Sequence, residues 1–209
     1  IKTLVASMPI SQRPEHHDLS IKHKNWLTSK YQNAYGVEID LTGAYLSFEN
    51  ILTDKKFTSD LGLANSKARL RMMTLYQIAA STTGLVIGTG NKVEDFGVGF
   101  YTKYGDGGVD ISPIADCNKS QVWAMGKELS ILEEIQMAEP TDGLWSDGRT
   151  DTDQLGMSYK EIEHLMTRPD EVGYEKYLAI RKKNLHKMKP IPVCKFDGKD
   201  TLDTDQKET

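Results

Sequence analysis

Apolar residues in the first half of the chain fall in short runs separated by polar stretches. Thr3–Ile10 (TLVASMPI) is β-prone and ends at a proline, and the polar segment QRPEHHD follows it. From about Leu19 to Tyr31, apolar Leu19, Ile21, Trp26 and Leu27 are spaced for a weak helix. Tyr35–Leu41 (YGVEIDL) reads as a second strand. Gly84–Ile87 (GLVI), flanked by glycines, reads as a third and is expected to be buried. Strands separated by helical stretches predict βαβ units and a mostly parallel sheet, and right-handed crossovers place helices on both faces. The expected class is α/β, in three α/β/α layers.

The longer periodic segments predict the helices. Asn65 is a good N-cap for NSKARLRMMTLYQIAASTT, where Ala68, Met72, Tyr76 and Ala79 recur at helical spacing. Asn118 and Gln121 form a capping-box pattern ahead of a helix expected to reach Met137, with Val122, Met125, Leu129 and Leu132 on its apolar face. Ser158 and Glu161 repeat that pattern before Ile162, Leu165 and Met166, and a last helix is expected from Pro169 to about Leu185. The final fifteen residues, KFDGKDTLDTDQKET, hold only Phe196 and Leu202 as sizeable apolar groups. Burial cannot offset their ordering entropy, so residues 191–209 are expected to form a mobile polar tail behind a single domain, 1–190.

Composition narrows the function without naming it. With 209 residues, 38% hydrophobic and 27% charged, the chain suits one globular domain with a core of its own. A net charge of −4 disfavours a general electrostatic grip on nucleic acid or anionic membrane. No apolar run approaches the roughly 20 residues of a membrane helix. Two cysteines, Cys117 and Cys194, support neither a disulfide scaffold nor a four-thiolate zinc site, so a reducing, cytoplasmic setting is expected. His16, His17 and His23 lack further ligands at fixed spacing and read as solvated.

The chemistry concentrates between Gly88 and Asp110, GTGNKVEDFGVGFYTKYGDGGVD, directly after the third strand, where open α/β sheets bind ligands. Seven glycines in this span permit close backbone approach to a ligand, and Thr89, Glu94, Lys103, Asp106 and Asp110 are interleaved with them. Carboxylates of this kind hold Mg²⁺ and lysines pair with phosphate, although the same composition also suits a solvated surface loop. It is neither a Walker A loop nor a GxGxxG opening a helix, and no GxSxG or nucleophilic triad occurs. Arg69 and Arg71 lie roughly 200° apart around their helix, so they reach in nearly opposite directions. Lys119 occupies a first helical turn, where the macrodipole disfavours a cation; this favours an anionic ligand there or a plain surface lysine. Thr141, in PTDGLWSDGR, suits a phosphate contact, while the same loop reads equally as a connector anchored by Trp145.

Taken in order, GTGNKVED, GFYTKYGDGGVDISPI and PTDGLWSDGRTDTDQLG, with NSKARLRM upstream, resemble the ammonia-dependent NAD synthetases of the ATP-pyrophosphatase group. The resemblance covers about Ile1 to Pro190 and implies a Rossmann-like, adenine nucleotide α-hydrolase-like fold. It further implies a homodimeric ligase that forms a C–N bond. The implied reaction amidates deamido-NAD to NAD with ATP, Mg²⁺ and ammonia through an adenylated carboxylate, releasing AMP and pyrophosphate. Carried over residue by residue, it implies that Thr89, Lys119 and Thr141 bind ATP and that Glu94 ligates the metal. Glu94, Lys119 and Thr141 then form the catalytic set. Arg71, Lys103, Asp110, His186 and Lys187 are implied to contact deamido-NAD. One residue is inserted between Glu94 and Lys103 relative to the family pattern.

The family's SGGxDS pyrophosphate loop does not occur in these residues, so an upstream segment carrying it is expected, and without it adenylation is expected to fail. Two alternatives accompany this reading. One is the synthetase domain of a glutamine-dependent form, and the other is a catalytically inactive nucleotide-binding regulator.

Overall fold

The structure, a computed structural model, describes residues 1–194. The tail expectation for residues 195–209 lies outside the described residues. Strand β1 (Thr3–Ser7) leads through helix α1 (Pro14–Lys30) to strand β2 (Ala34–Glu38), and the two strands pair in parallel with Thr3 opposite Ala34 and Ser7 opposite Glu38. Pro14 starts α1, where its missing N–H is no loss, so the helix begins five residues before the apolar spacing suggests. The fold is α/β with parallel strands, as the alternation of elements predicts.

The third expected strand is reduced. Around Gly84–Ile87 the chain makes one parallel bridge, Ile87 with Ile111, and Leu85 and Ile87 are exposed rather than buried. Val86 alone points inward, against Met72 and Ala79.

Helix α2 (Thr42–Asp54), which the apolar pattern did not single out, precedes α3 (Asp60–Thr82). Ser59, not Asn65, caps α3: its hydroxyl accepts from the Gly62 N–H. Asn65 instead lies inside the helix and accepts from the Thr102 hydroxyl at 2.6 Å. Ala68, Met72 and Ala79 form the buried stripe as expected, together with Ala64, while Tyr76 stays exposed.

The segment expected as one helix from Asn118 is two, α4 (Lys119–Glu128) and α5 (Glu133–Met137). The break falls at Ser130, whose φ of 55° leaves the helical region. Met125 and Leu129 on the expected apolar face are exposed. The Asn118 cap is present, its N–H donating to Gln121 Oε1.

Two short helices follow, α6 (Asp151–Leu155) and α7 (Tyr159–Leu165), and α8 (Tyr174–Met188) ends the described chain. Ser158 and Glu161 form the capping box foreseen for α7. The largest core lies here, where Val93, Val98, Leu155, Met157, Tyr159, Ile162, Leu165 and Tyr177 pack together. This core fixes α6, α7 and α8 against the segment that carries Glu94.

Candidate active site

Glu94 sits in a π-helical turn, Val93–Val98. A π-turn accommodates one residue more than an α-turn. Asn91, 1% exposed, starts the turn: its side-chain carbonyl accepts from the N–H groups of Val93 and Glu94. The turn ends at Gly99, whose φ of 67° suits glycine. Its late carbonyls are satisfied from α8. Arg181 donates to Gly97, Asn184 to Val98, and Lys187 to Gly99 and Tyr101 at 2.9 and 2.7 Å.

Within this frame Glu94 Oε1 accepts from Lys119 Nζ at 2.7 Å and lies 2.8 Å from the phenol oxygen of Tyr159. The glutamate and lysine side chains are 16% and 17% exposed, so this is a shielded ion pair. It explains why a lysine is tolerated in the first turn of α4. The Lys119 ammonium also lies 4.6 Å from the centre of the Tyr159 ring. On its other side the Tyr159 phenol is 2.6 Å from Asp151 Oδ2. Burial and the two carboxylates push the Tyr159 phenol up, so it stays protonated. Burial also raises the Asp151 carboxyl, against the opposing pull of the Tyr159 hydrogen bond and of Lys119.

Tyr159 and Asp151 are functional candidates that the sequence reading missed. Both lie in or beside quoted motifs, Asp151 in GRTDTDQLG and Tyr159 directly after the Ser158 cap. Neither spacing nor composition marks them, because α6 and α7 meet Glu94 only in the folded core.

Thr141 belongs to a neighbouring wall. Its hydroxyl donates to the Arg149 carbonyl and accepts from the Gly143 N–H, closing the loop on itself. Trp145 anchors that loop through Gln154 and packs under Arg149. Gln12 donates to the Gly143 carbonyl and Lys67 to the Leu144 carbonyl, which ties the loop to the β1–α1 connection and to α3. Between them lies a cavity of about 360 Å³ whose lining includes Met8, Gln12, His16, Arg71 and Thr141. Arg71 reaches back to the Met8 carbonyl and Gln12, whereas Arg69 reaches the Lys103 carbonyl, so the two arginines do point apart. The Asp151 N–H bonds the Pro140 carbonyl at 2.9 Å, which links this wall to the Glu94 cluster.

The other sequence candidates are not in one place. Lys187 lines a second cavity, about 190 Å³, with Asp95, Tyr101 and Asp106. Burial, Glu94 and Asp106 push the Asp95 carboxyl up to about 6. Thr89 is exposed between two glycines that line this cavity. Lys103 and the exposed His186 meet through the His186 carbonyl. Asp110 is occupied structurally, accepting from the Tyr76 hydroxyl and the Val86 N–H.

The donor set fits Mg²⁺ in one specific sense. Among the described residues no group of three or more His, Cys, Asp or Glu side chains converges on a point. Mg²⁺ held largely by phosphates and water needs only one or two carboxylates. With Oε1 engaged, Glu94 Oε2 receives, among the described residues, only a long contact from the Asn91 N–H, so it is the oxygen that could take a cation. No described helix is long and apolar enough to cross a membrane.

Comparison with known proteins places the chain in a family. The chain is 38% identical over 167 residues to the NH(3)-dependent NAD(+) synthetase of Carboxydothermus hydrogenoformans, covering 79% of this chain and 66% of that one. It is 37% identical over 147 residues to the enzyme of that name from Methanosarcina acetivorans, covering 70% and 55%. The chain thus spans about half to two thirds of the length of these relatives. Among solved structures, the NMN synthetase from Francisella tularensis superposes with a TM-score of 0.82 at 30% identity, over 94% of this chain and 80% of that one. The NH3-dependent NAD synthetase from Campylobacter jejuni superposes with a TM-score of 0.63 at 23% identity, over 92% and 76%, and so shares the fold. The NAD synthase family profile matches residues 2–195, and the chain belongs to that family.

Proposed function

We propose that this chain carries out the ATP-dependent amidation of deamido-NAD with ammonia, giving NAD, AMP and pyrophosphate. The observation that carries the reading is the shielded Glu94–Lys119 pair, joined through Tyr159 and Asp151 to the Thr141 loop, in a member of the NAD synthase family. A carboxylate is a poor electrophile toward ammonia, because oxide is not a leaving group. The nicotinate oxygen attacks the α-phosphorus of ATP, an O–P bond forms, and the α–β bridging bond breaks with its electron pair leaving on pyrophosphate. Ammonia then attacks the acyl carbon, loses a proton, and AMP departs.

In this scheme Lys119 exchanges Glu94 for the phosphates and neutralises charge on the leaving pyrophosphate. Thr141 and Thr89 bind ATP. Glu94 holds Mg²⁺, which supplies further neutralisation of the phosphate charge. Arg71, Lys103, Asp110, His186 and Lys187 contact the dinucleotide, Lys103 and Lys187 by exchanging their present carbonyl partners for it. No protein nucleophile is required. We assign residues 1–190 to a single synthetase domain.

We also propose a homodimer. Phe48 and Ile51, three apart on α2 and so on one side of it, are exposed apolar side chains that suit a partner surface, and Phe57, Leu61 and Met73 before and on α3 are exposed too. ATP and deamido-NAD as substrates accord with a cytoplasmic setting.

The test uses full-length protein with deamido-NAD, ATP, Mg²⁺ and ammonium. Equimolar NAD and AMP, abolished in Glu94→Ala, is the expected result, and glutamine should not replace ammonium. Absence of NAD from a folded protein that still binds ATP overturns the reading. One observation favours a second substrate: the Francisella tularensis NMN synthetase superposes better than the Campylobacter jejuni NAD synthetase, 0.82 against 0.63. In that version the same amidation acts on the nicotinate mononucleotide. Comparing kcat/KM for the two nucleotides decides between them.

A further inference from the structure

Glu94 is held at one oxygen by two groups with different futures in the reaction. Lys119 is a flexible ammonium, and its partner is exchangeable once phosphates arrive. Tyr159 is 4% exposed, has its ring in the main core, and bears a phenol fixed on its far side by Asp151. Asp151 is itself 6% exposed, and among the described residues its second oxygen, Oδ1, is buried without a hydrogen-bond partner. Leaving a buried carboxyl oxygen unpaired is unfavourable, so such a group is an unusual choice for mere core filling. A Phe at 159 beside an apolar residue at 151 would fill the same space without that cost.

We infer that Tyr159 and Asp151 are positioning residues for Glu94: Tyr159 donates its single phenol proton to Oε1 when Lys119 leaves it, so that Oε2 stays turned toward the cation, and Asp151, bearing a proton of its own, donates to the phenol oxygen and fixes its direction. The inference rests on the reading of Glu94 as the metal ligand. Asp151 also bonds the Pro140 carbonyl through its backbone N–H. The same pair therefore keeps the carboxylate in register with the Thr141 loop. Neither residue touches a reacting atom, so their effect is on cation affinity and geometry. Outer partners of this kind typically change metal affinity by about 10–100-fold when removed.

The experiment measures Mn²⁺ affinity by electron paramagnetic resonance on full-length protein with a non-hydrolysable ATP analogue, so the readout does not depend on turnover. Tyr159→Phe keeps the ring in the core and removes only the hydroxyl. It is expected to weaken Mn²⁺ by about tenfold or more and to leave KM for the nicotinate nucleotide unchanged. Asp151→Ala is expected to weaken Mn²⁺ similarly, and Asp151→Asn, which can still bond the phenol, to restore most of the loss. Glu94→Gln serves as the reference for a lost ligand. If Glu94→Gln weakens Mn²⁺ and Tyr159→Phe does not, the positioning role is wrong while the metal reading stands. If Glu94→Gln has no effect, both fall. A rise in nucleotide KM in step with lost thermal stability, at constant Mn²⁺ affinity, marks a purely structural role and also overturns the inference.

Discussion

At the residue scale, the environment of each charged group decides what it can do. Lys119 and Glu94 shield one another, whereas Asp95, one position on, faces the second cavity, is partly buried and sits near two further carboxylates, Glu94 and Asp106. Its carboxyl is pushed up to about 6 from an ordinary value of 3.8. A raised acid pKa means that the folded protein holds the proton more tightly than the unfolded chain. Asp95 therefore opposes folding increasingly as pH rises from about 4 to about 6, and fully above that. Asp95→Asn is expected to raise the melting temperature at pH 7.5, with the advantage fading toward pH 4. Thermal melts of both proteins across pH 4–8 check this. An equal shift at every pH would mean that the carboxyl is not the cause.

At the element scale, the π-turn and α8 depend on each other. The turn leaves carbonyls that its own backbone cannot satisfy, and Arg181, Asn184 and Lys187 on α8 supply the donors. Gly99 makes this docking possible. A Cβ there would lie 2.6 Å from Asn184 Cβ and 2.7 Å from Met188 Cε, in a backbone conformation with φ of 67°. Gly99→Ala is expected to destabilise the protein by about 1–3 kcal/mol. Hydrogen exchange should show faster exchange in α8 before the rest of the chain. Uniform exchange with an unchanged melt would show that α8 does not depend on this contact. Lys187, which the family resemblance assigns to substrate, is one of these donors, so its removal should affect stability as well as substrate affinity.

At the scale of the whole molecule, buried side chains concentrate around the Glu94 turn and α6–α8, while α2 and the start of α3 carry exposed apolar groups. If that surface joins two copies, a charge at its centre must be desolvated without a partner. Ile51→Glu, at a position 63% exposed, is expected to convert a dimer to a folded monomer by light scattering. A wild-type protein that is monomeric at the same concentration removes the dimer proposal.

Local physics determined much of this protein. The βαβ start, the stripe of Ala68, Met72 and Ala79 and the Ser158 cap of α7 follow from periodicity and capping chemistry carried by neighbours in sequence, while the motifs around Glu94, Lys119 and Thr141 were marked out by the family resemblance. The true start of α3 at Ser59, the break at Ser130 and the exposure of Leu85 and Ile87 were settled by contacts and backbone geometry that no short window contains. The same is true of the site. Lys119 is paired rather than solvated because a turn 25 residues earlier brings Glu94 to it. Tyr159 and Asp151 matter because folding moves a phenol and a carboxyl next to a glutamate 65 positions away from Tyr159. Sequence supplies the chemical groups; burial and distance, which set their charge and partners, belong to the tertiary structure.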